Sequence, residues 1–357
     1  MARLRTLRDT AFRTVRAVTM AAGRTMPAAM AVTALERLAP APTGRFAVLT
    51  YHRVGARDPS AGYPGLVSAT AEEFARQIEH VATHCRPVSA AEVVAARRGE
   101  VVLPARSVLV TFDDAYDDFD RIAWPVLRDL GVPPVLFVPT GFPDSGHAFW
   151  WDRLYHALRE TSRPSLSSFA GVTGRPLAVG GPAADRAFRA IRAVLKERPH
   201  AQLLADVATI EADLGVTTPP ARVLGWEALR RLRDDGVTLA PHSVTHPLLT
   251  MVTPGEAAQE IGDSIEELRA QTAADVPLFA YPSGAHDPGV VAAVEAAGIE
   301  VAFTTERGVN DPARSDWLRL GRLNVGRAGL QALRAQMAWL GGSPRSLHRR
   351  RLVPAGE

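Results

Sequence analysis

The chain has a single cysteine, Cys85, in 357 residues. An intramolecular disulfide is therefore excluded, and so is a metal site built from several thiolates. The absence of disulfides is somewhat more typical of the cytosol than of an oxidising compartment. Any metal ion that the protein binds must be held by histidine, aspartate or glutamate side chains.

The chain also lacks a long uninterrupted apolar run. Apolar residues make up 46% of it and charged residues 22%, which is ordinary for a globular protein. The apolar stretch at residues 17–35 is interrupted by Arg24 and Pro27 and is a poor membrane span. No clean apolar stretch follows the basic residues, as a secretory signal requires. The sequence leaves the location open and favours a cytoplasmic or membrane-associated chain over an exported one.

Positive charge is concentrated at the two ends. Residues 1–40 have a net charge of +5 and residues 342–357 of +3, so the whole-chain charge of +3 leaves about −5 on residues 41–341. A mildly acidic body does not predict a basic groove for nucleic acid.

At the amino end, arginines alternate with apolar residues at near-helical spacing. This pattern indicates either a basic amphipathic helix lying on an anionic membrane surface or a terminal helix that frays or packs locally. The apolar positions are Leu4, Leu7, Ala11, Val15, Val18 and Ala22.

From residue 46 onward, short apolar runs alternate with longer helical patterns. Such runs are typical of strands buried on both faces of a parallel sheet. The predicted strands are Phe46–Tyr51, Ser107–Phe112, Val135–Pro139, Val237–Ala240, Pro277–Tyr281, Val301–Thr304 and Leu318–Val325. Between them helices are predicted, one of which begins at a capping box formed by Thr253 and Glu256. The strand–helix order predicts a parallel α/β architecture, and seven or eight strands favour a barrel over an open sheet.

A segment at about residues 144–225 breaks this alternation. It begins with the aromatic residues Phe149–Trp151 and continues with helical pieces, which indicates an insertion rather than an independent catalytic domain. The predicted organisation is an N-terminal segment at 1–40, a barrel at 41–341 that carries the insertion, and a C-terminal tail at 342–357.

Unusual polar residues follow the ends of the predicted strands. His52 follows the first strand, Asp113 and Asp114 follow the second, and His242 follows another. A Tyr-Pro-Ser-Gly segment at 281–284 ends a later strand. In a parallel α/β barrel these ends share one face, where active sites are found. The residues are therefore expected to converge on one cleft.

Two pairs of these residues suit a metal site. Adjacent carboxylates at Asp113 and Asp114 repel each other unless a cation lies nearby, and one could bind metal while the other serves as a base. The alternative is an ordinary polar turn or helix cap. The spacing of His242 and His246 would place both on one side of a helical turn, about 5–6 Å apart at Cβ. Two histidines and one aspartate leave an open position, as in catalytic zinc sites; the alternative is two surface or core histidines.

Other residues are candidates from position alone. His52 could transfer a proton at the same rim, although a lone histidine is more often structural. Arg322 lies in the last predicted strand and points either into the barrel or to solvent. Trp124 and Phe149–Trp151 could stack on sugar rings, although large aromatic residues more often pack in a core.

Three segments resemble signature motifs of the NodB-like polysaccharide deacetylases, carbohydrate esterase family 4. They are Thr111–Asp114 (TFDD), His242–Pro247 (HSVTHP) and Phe279–Gly284 (FAYPSG), in the family's order. The segment Leu49–Val54 (LTYHRV) is similar to the opening strand of the subgroup that includes poly-N-acetylglucosamine deacetylases. The resemblance covers about residues 46–326, with 144–225 as a variable insertion.

The resemblance implies a distorted (β/α) barrel and a bound divalent metal ion, with zinc as the first expectation. It assigns Asp114, His242 and His246 to the metal. The implied reaction is hydrolysis of N-acetyl groups on a hexosamine-containing polysaccharide or oligosaccharide.

The resemblance also implies roles for residues around the metal. Asp113 would be the general base, and His52 would be the general acid, as in the subgroup just named. The backbone N–H of Ser283 would stabilise the oxyanion, with Tyr281 beside it at the substrate.

The chain departs from the family pattern at several positions. Ala115 stands where the family has glycine, which would strain the turn if a positive φ is required. Ala280 replaces the arginine that orients the base, and Ser283 replaces an aromatic residue. The late Leu-x-His motif is absent. Arg322 is the candidate to supply the missing guanidinium.

Three hypotheses follow from these observations. The first is a metal-dependent deacetylase of N-acetylated sugars. The second is a catalytically silent carbohydrate-binding relative that keeps the metal site, and the third is a metal-dependent amidohydrolase acting on a small N-acyl compound. The expected partners are an N-acetylated polysaccharide or oligosaccharide, no nucleic acid, and a membrane surface contacted through residues 1–40.

Overall fold

The computed structural model describes residues 44–55, 62–170, 174–326 and 329–342. The predicted amphipathic segment at 1–40 and residues 343–357 of the predicted tail lie outside this part of the chain, so both stay predictions. Each helix in the described part is too short or too polar to cross a membrane.

Parallel strands form the centre of the fold. The described strands are β1 (Phe46–Tyr51), β2 (Arg53–Val54), β3 (Val67–Ala69), β4 (Arg86–Pro87), β5 (Ser107–Phe112), β6 (Pro134–Val138), β7 (Ser165–Leu166), β8 (Leu177–Ala178), β9 (Thr238–Pro241), β10 (Leu278–Ala280), β11 (Val301–Phe303), β12 (Val309–Asn310) and β13 (Leu323–Asn324). Every residue of β1, β5 and β6 is buried. Uninterrupted apolar runs are suited to this position, because the sheet is covered on both faces.

The strand pairs follow one another in two arcs. In the first arc the order is β13-β1-β5-β6-β9, with every neighbour parallel. In the second arc β10 pairs in parallel with β11, and one bridge between Phe303 and Leu320 continues toward β13. Seven parallel strands therefore make up the two arcs within the described residues, which agrees with the predicted number.

The last predicted strand is shorter than expected. The sequence predicted Leu318–Val325, whereas the structure has a strand only at Leu323–Asn324. The Asn310 side chain explains the difference, because its Nδ2 donates to the carbonyl of Gly321 and its Oδ1 accepts the N–H of the same residue, both at 2.9 Å. These bonds occupy the backbone groups of Gly321 and separate the bridge at Leu320 from β13, so the prediction of one continuous strand is wrong.

Helices occupy the segments between the strands. The described helices are α1 (Ala71–His84), α2 (Ala90–Arg97), α3 (Trp124–Asp129), α4 (Trp150–Glu160), α5 (Gly181–Leu195), α6 (His200–Leu214), α7 (Trp226–Asp234), α8 (Pro254–Thr272), α9 (Pro288–Ala296) and α10 (Gly329–Gly342). The predicted capping box at Thr253 and Glu256 is present and begins α8.

The segment predicted as an insertion contains α4, α5, α6 and the antiparallel pair β7–β8. Its helices pack around an apolar cluster that includes Leu158, Phe188, Ile191 and Val207. This cluster is distinct from the two that lie against the central sheet. Because α4 and α5 pack on each other, both are held firmly where they reach the rim of the sheet.

Candidate metal centre and catalytic cleft

The carboxyl ends of the parallel strands meet at one rim. Tyr51 and Phe112, the last residues of β1 and β5, are paired in register. The residues that follow β1, β5 and β9 are, in that order, His52, Asp113 and His242. All three line one cleft of about 330 Å³. The strand-end positions that the sequence singled out are thus brought together.

Asp114, His242 and His246 form a group that could hold a metal ion. One ligand atom from each lies within 4.8 Å of the other two. Nε2 of His246 is 3.4 Å from Oδ1 of Asp114, and Nε2 of His242 is 3.7 Å from the same oxygen. All three residues are buried. The predicted ligand set therefore converges from the end of β5 and the loop after β9.

The Asp114 carboxylate fits a cation at this place. Its Oδ1 atom is buried and makes no hydrogen bond with the part of the chain that the structure describes. Burial, and then the neighbouring Asp113, raise the pKa of Asp114 well above its usual range, so the charged form is costly unless a cation lies beside it. Two imidazole nitrogens and one carboxylate are a known donor set for zinc that leaves a position open. The residues present fit a divalent metal ion.

His242 presents the correct nitrogen to this group. Its Nδ1 lies 2.6 Å from the carbonyl oxygen of Ala280, which can only accept, so Nδ1 carries the proton and Nε2 keeps its lone pair. Burial lowers the pKa of His242 to about 4, which keeps the ring neutral. Ala280 lacks the family's arginine side chain but contributes its backbone carbonyl.

The two histidines do not lie on a helical turn, so that part of the prediction is wrong. Ser243 and His246 have φ angles of 62° and 60°, in the left-handed region, and the segment is an irregular loop. Glu260 of α8 stabilises it, because its Oε2 accepts the N–H groups of Val244 and Thr245 at 2.8 Å each. The two imidazole rings nevertheless lie 4.9 Å apart between centroids.

Sequence reasoning missed Glu260, and no signal in the sequence distinguishes it from other polar residues of an amphipathic helix. It also missed the contact of Trp151 with His246, whose ring centroids lie 5.0 Å apart. The indole N–H donates to the Tyr116 hydroxyl at 2.8 Å, so the ring is fixed beside the histidine. Of the other aromatic candidates, Trp150 lines the cleft and Trp124 packs in the main core.

Asp114→Asn is expected to raise the melting temperature of the metal-free protein at neutral pH and to weaken metal binding. Because the folded-state pKa of Asp114 is raised, the metal-free protein loses stability as the pH rises from the unfolded pKa through the folded one. The variant lacks this penalty, so its advantage should shrink as the pH falls. Thermal melts after chelation, at several pH values, measure the difference. A metal-free variant that melts below wild type at neutral pH would contradict the burial argument.

Arg322 points into the fold and pairs with Asp113. Its Nη1 and Nη2 donate to Oδ1 and Oδ2 of the carboxylate at 2.7 Å each, and both residues are buried. Its Nε donates to the carbonyl of Thr304 at 2.9 Å. Burial acts to raise the pKa of Asp113, but Arg322 and then His242 outweigh it and hold that pKa below its usual range. The guanidinium that is missing at position 280 therefore reaches the carboxylate from the residue directly before β13.

His52 lies on the other side of Asp113. Its Nε2 is 4.0 Å from Oδ2 of Asp113, and its backbone N–H donates to Oγ of Ser68 at 3.2 Å. The side chain lines the cleft and is 19% exposed. Burial lowers the pKa of His52, although Asp113 opposes the shift. The imidazole is therefore positioned beside the carboxylate and open to a ligand.

Two residues of the segment after β10 have different surroundings: Ser283 faces the cleft and Tyr281 packs in the core. Ser283 lines the cleft, and its backbone N–H makes no hydrogen bond to the described residues. Tyr281 is fully buried in an apolar cluster with Phe279, and its hydroxyl donates to the carbonyl of Leu318 at 2.9 Å. Because that contact turns the ring away from the cleft, the predicted substrate contact of Tyr281 is corrected to packing.

The turn after the two aspartates adopts the conformation that the family's glycine would favour. Asp114 has a φ of 74° and Ala115 a φ of 49°. Each costs an L-residue about 1–2 kcal/mol relative to a right-handed conformation. The predicted strain at Ala115 is therefore present, and the buried methyl group holds the turn against the core.

The site lies in a part of the chain that matches a known protein family. A family model described as polysaccharide deacetylase matches residues 100–302, which is more than half of the chain. This chain belongs to the polysaccharide deacetylase family. The matched range contains Asp113, Asp114, His242 and His246, so the resemblance seen in the motifs is confirmed.

Individual relatives are more distant. The poly-β-1,6-N-acetyl-D-glucosamine N-deacetylase of Escherichia coli (strain K12) is 32% identical over 103 residues, which cover 29% of this chain and 15% of that protein. The chain therefore spans only a small part of the length of this curated relative.

Solved structures of family members share the fold. The Streptococcus pyogenes deacetylase PplD in complex with acetate has a TM-score of 0.56 at 19% identity, covering 83% of this chain and 99% of its own. IcaB from Ammonifex degensii has a TM-score of 0.55 at 19% identity, covering 83% and 97%. The BpsB deacetylase domain from Bordetella bronchiseptica has a TM-score of 0.52 at 18% identity, covering 80% and 98%. The predicted fold class, a distorted (β/α) barrel with a helical insertion, is thereby confirmed.

Proposed function

We propose that the protein hydrolyses N-acetyl groups of a hexosamine-containing polysaccharide or oligosaccharide with the help of a divalent metal ion. One observation carries this proposal: Asp113, kept ionised by Arg322, lies directly beside the three-residue metal group in one cleft. A positioned base next to a metal ion is the arrangement that hydrolysis of an amide requires.

The family members support the choice of substrate. The relative from E. coli is named as an N-deacetylase of poly-β-1,6-N-acetyl-D-glucosamine, and PplD is a deacetylase solved with acetate, the second product of such a reaction. An N-acetylated hexosamine polymer is therefore the first class of substrate to test.

The side chains of the cleft divide the chemistry between them. The low pKa of Asp113 keeps it able to accept a proton from the attacking water throughout the neutral range, and Arg322 holds both of its oxygens in place. The backbone N–H of Ser283 is a donor for the oxygen that becomes negative in the transition state. A divalent cation, with zinc as the first expectation, would supply Lewis acidity toward the acetamide carbonyl when bound at Asp114 and the two histidines.

His52→Gln tests the proposed general acid. We expect turnover on an N-acetylated oligomer to fall about 10²–10³-fold, because an amine cannot depart without a proton. An aryl acetate such as 4-nitrophenyl acetate has a leaving group that needs no proton, so the same variant should hydrolyse it at nearly the wild-type rate. Parallel assays of both substrates, with metal content measured for each protein, give the comparison. Equal losses on the two substrates would assign His52 a structural role.

An acetate-release screen tests the activity itself. Chitin-type oligomers, poly-β-1,6-N-acetylglucosamine and peptidoglycan are incubated with metal-loaded protein, and free acetate is measured. Release from at least one of them supports the proposal. A protein that holds metal and releases no acetate from any of them would be the silent relative, or an amidohydrolase of small N-acyl compounds.

We also propose that residues 1–40 contact an anionic membrane surface, as a basic amphipathic helix would. A membrane-associated or cytoplasmic location agrees with this reading of the sequence. Cosedimentation with phosphatidylglycerol vesicles, compared between the full chain and a chain that starts at residue 41, tests the contact. Equal binding of the two chains would rule it out.

A further inference from the structure

One wall of the cleft carries two cations that the proposed reaction does not use. Arg192 and Lys196 both line the cleft. Arg192 lies on α5, and Lys196 is the residue directly after it, whose backbone N–H still donates to the carbonyl of Arg192 at 3.1 Å, so the two side chains share one face of this helix end. Lys196 is the single lysine of the chain. Both side chains are partly buried.

Neither cation is neutralised by the described part of the chain. Within it, no carboxylate forms an ion pair with Arg192 or with Lys196. Burial, and then the charge of Arg192, lower the pKa of Lys196 to about 8. Two like charges at this spacing repel each other, and partial burial without a partner adds to the cost. The pair therefore costs the folded protein free energy on its own, and a bound anion would offset that cost.

The acidic residues of the cleft are engaged at the reaction centre. Asp113 is held by both terminal nitrogens of Arg322, and Asp114 lies against the two imidazoles of the metal group. The cleft therefore contains acidic side chains engaged at the reaction centre and two cations without a carboxylate partner among the described residues. This combination suits a ligand that has a negative group as well as a reacting amide.

The cations are also firmly positioned. Helix α5 packs through Phe188 and Ile191 on the apolar cluster of the segment that follows β6, and Trp150 of α4 lines the same cleft. Burial lowers the pKa of His52, and the positive charge of Lys196 lowers it further. An anion bound by Arg192 and Lys196 would thus lie in the same cleft as the reaction centre.

We propose that the cleft selects an anionic glycan, in which the sugar next to the acetylated hexosamine, or the linkage between them, carries a carboxylate or phosphate that Arg192 and Lys196 bind. This inference rests on the proposed deacetylase function and specifies its substrate class. Carboxylate and phosphate share the required chemistry, since both accept charge-assisted hydrogen bonds from a guanidinium and an ammonium group.

The test compares neutral and anionic oligomers of equal length. Chitin oligomers provide the neutral arm; oligomers that alternate N-acetylglucosamine with glucuronic acid provide the carboxylate arm, and phosphodiester-linked N-acetylglucosamine oligomers the phosphate arm. We expect kcat/KM for one anionic arm to exceed that for the neutral arm by about tenfold or more, mainly through KM, and the advantage to shrink as salt is added. The arm that is preferred identifies the anion.

Variants of the two cations test whether they cause the preference for anionic oligomers. The double variant Arg192→Gln with Lys196→Gln should lose the preference for the anionic oligomer while keeping its activity on chitin oligomers. Arg189→Gln is the matched control, because Arg189 lies on the same helix, is exposed and does not line the cleft. Equal loss on neutral and anionic oligomers, or no preference in the wild type, would overturn the inference.

A binding measurement separates this inference from the proposed function. Titration calorimetry of the anionic oligomers into the metal-loaded Asp113→Asn protein reports binding without turnover. Binding that depends on Arg192 and Lys196 would support the anion site even if no acetate were released. Acetate release from neutral oligomers alone, with no binding of either anionic oligomer, would support the deacetylase and reject the anion site.

Discussion

Asp113→Asn is expected to lower the turnover number for acetate release by up to about 10⁴-fold while leaving one metal ion per chain in place. The amide has the shape of the carboxylate but cannot accept the proton of the attacking water. Asp113 is not one of the three residues whose ligand atoms converge, so the metal group stays intact. Steady-state kinetics on an acetylated oligomer, with metal content measured on the same samples, checks both halves of the expectation.

A second buried Arg–Asp pair provides a control for loss of stability. Asp118 accepts a hydrogen bond from Nε of Arg53 at 2.8 Å, and both residues are buried. Asp118→Asn therefore weakens a comparable ion pair and should lower the melting temperature while keeping most of the turnover. If Asp113→Asn retained full activity, the assignment of the base would be wrong.

The Arg322 contact can be tested by the pH profile. Arg322→Lys replaces a guanidinium that contacts both oxygens of Asp113 with a single ammonium group. A weaker pair allows the pKa of Asp113 to rise, so the acidic limb of kcat should move to higher pH. An unchanged acidic limb with reduced stability would mean that Arg322 supports the fold without setting the charge of the base.

His242→Ala is expected to abolish metal binding and, with it, activity. The imidazole supplies one of the three ligand atoms that the described residues offer in this group, and its Nδ1–H, which donates to the carbonyl of Ala280, keeps Nε2 directed at the metal position. Loss of an outer hydrogen-bond partner of a metal ligand typically weakens binding 10–100-fold, and loss of the ligand itself should exceed that, at about 100-fold or more. Metal content after dialysis against a weak chelator measures the effect.

His286 provides the matched histidine control. It lies near the end of β10, is partly buried, and its ring is 5.4 Å from that of Tyr281, outside the metal group. His286→Ala should keep about one metal ion per chain and most of its activity. A His242→Ala protein that still held one ion per chain after dialysis would show that the three-residue group is not the metal site.

The sequence predicted the parts of the fold that depend on local pattern. Strands β1 and β5 match their predicted bounds residue for residue, because unbroken apolar runs suit only a strand covered on both faces. The convergence of Asp114, His242 and His246 could also be predicted, since polar residues placed directly after such strands meet at one rim. The predicted helical turn at His242 and His246 was wrong. The loop conformation there is held by Glu260 of α8, which accepts backbone N–H groups of the loop and lies later in the chain, beyond the reach of a local pattern.

Local order along the chain therefore determined where the buried strands lie and which carboxylates and imidazoles follow their ends, but not the bounds of the last strand. Tertiary structure alone decided that Arg322 turns inward to Asp113, that Tyr281 turns away from the cleft, and that Arg192 and Lys196 reach its wall. The physical reason is that a side chain's direction and charge state depend on what packs against it. Those neighbours come from elements far apart in sequence, which no local pattern records.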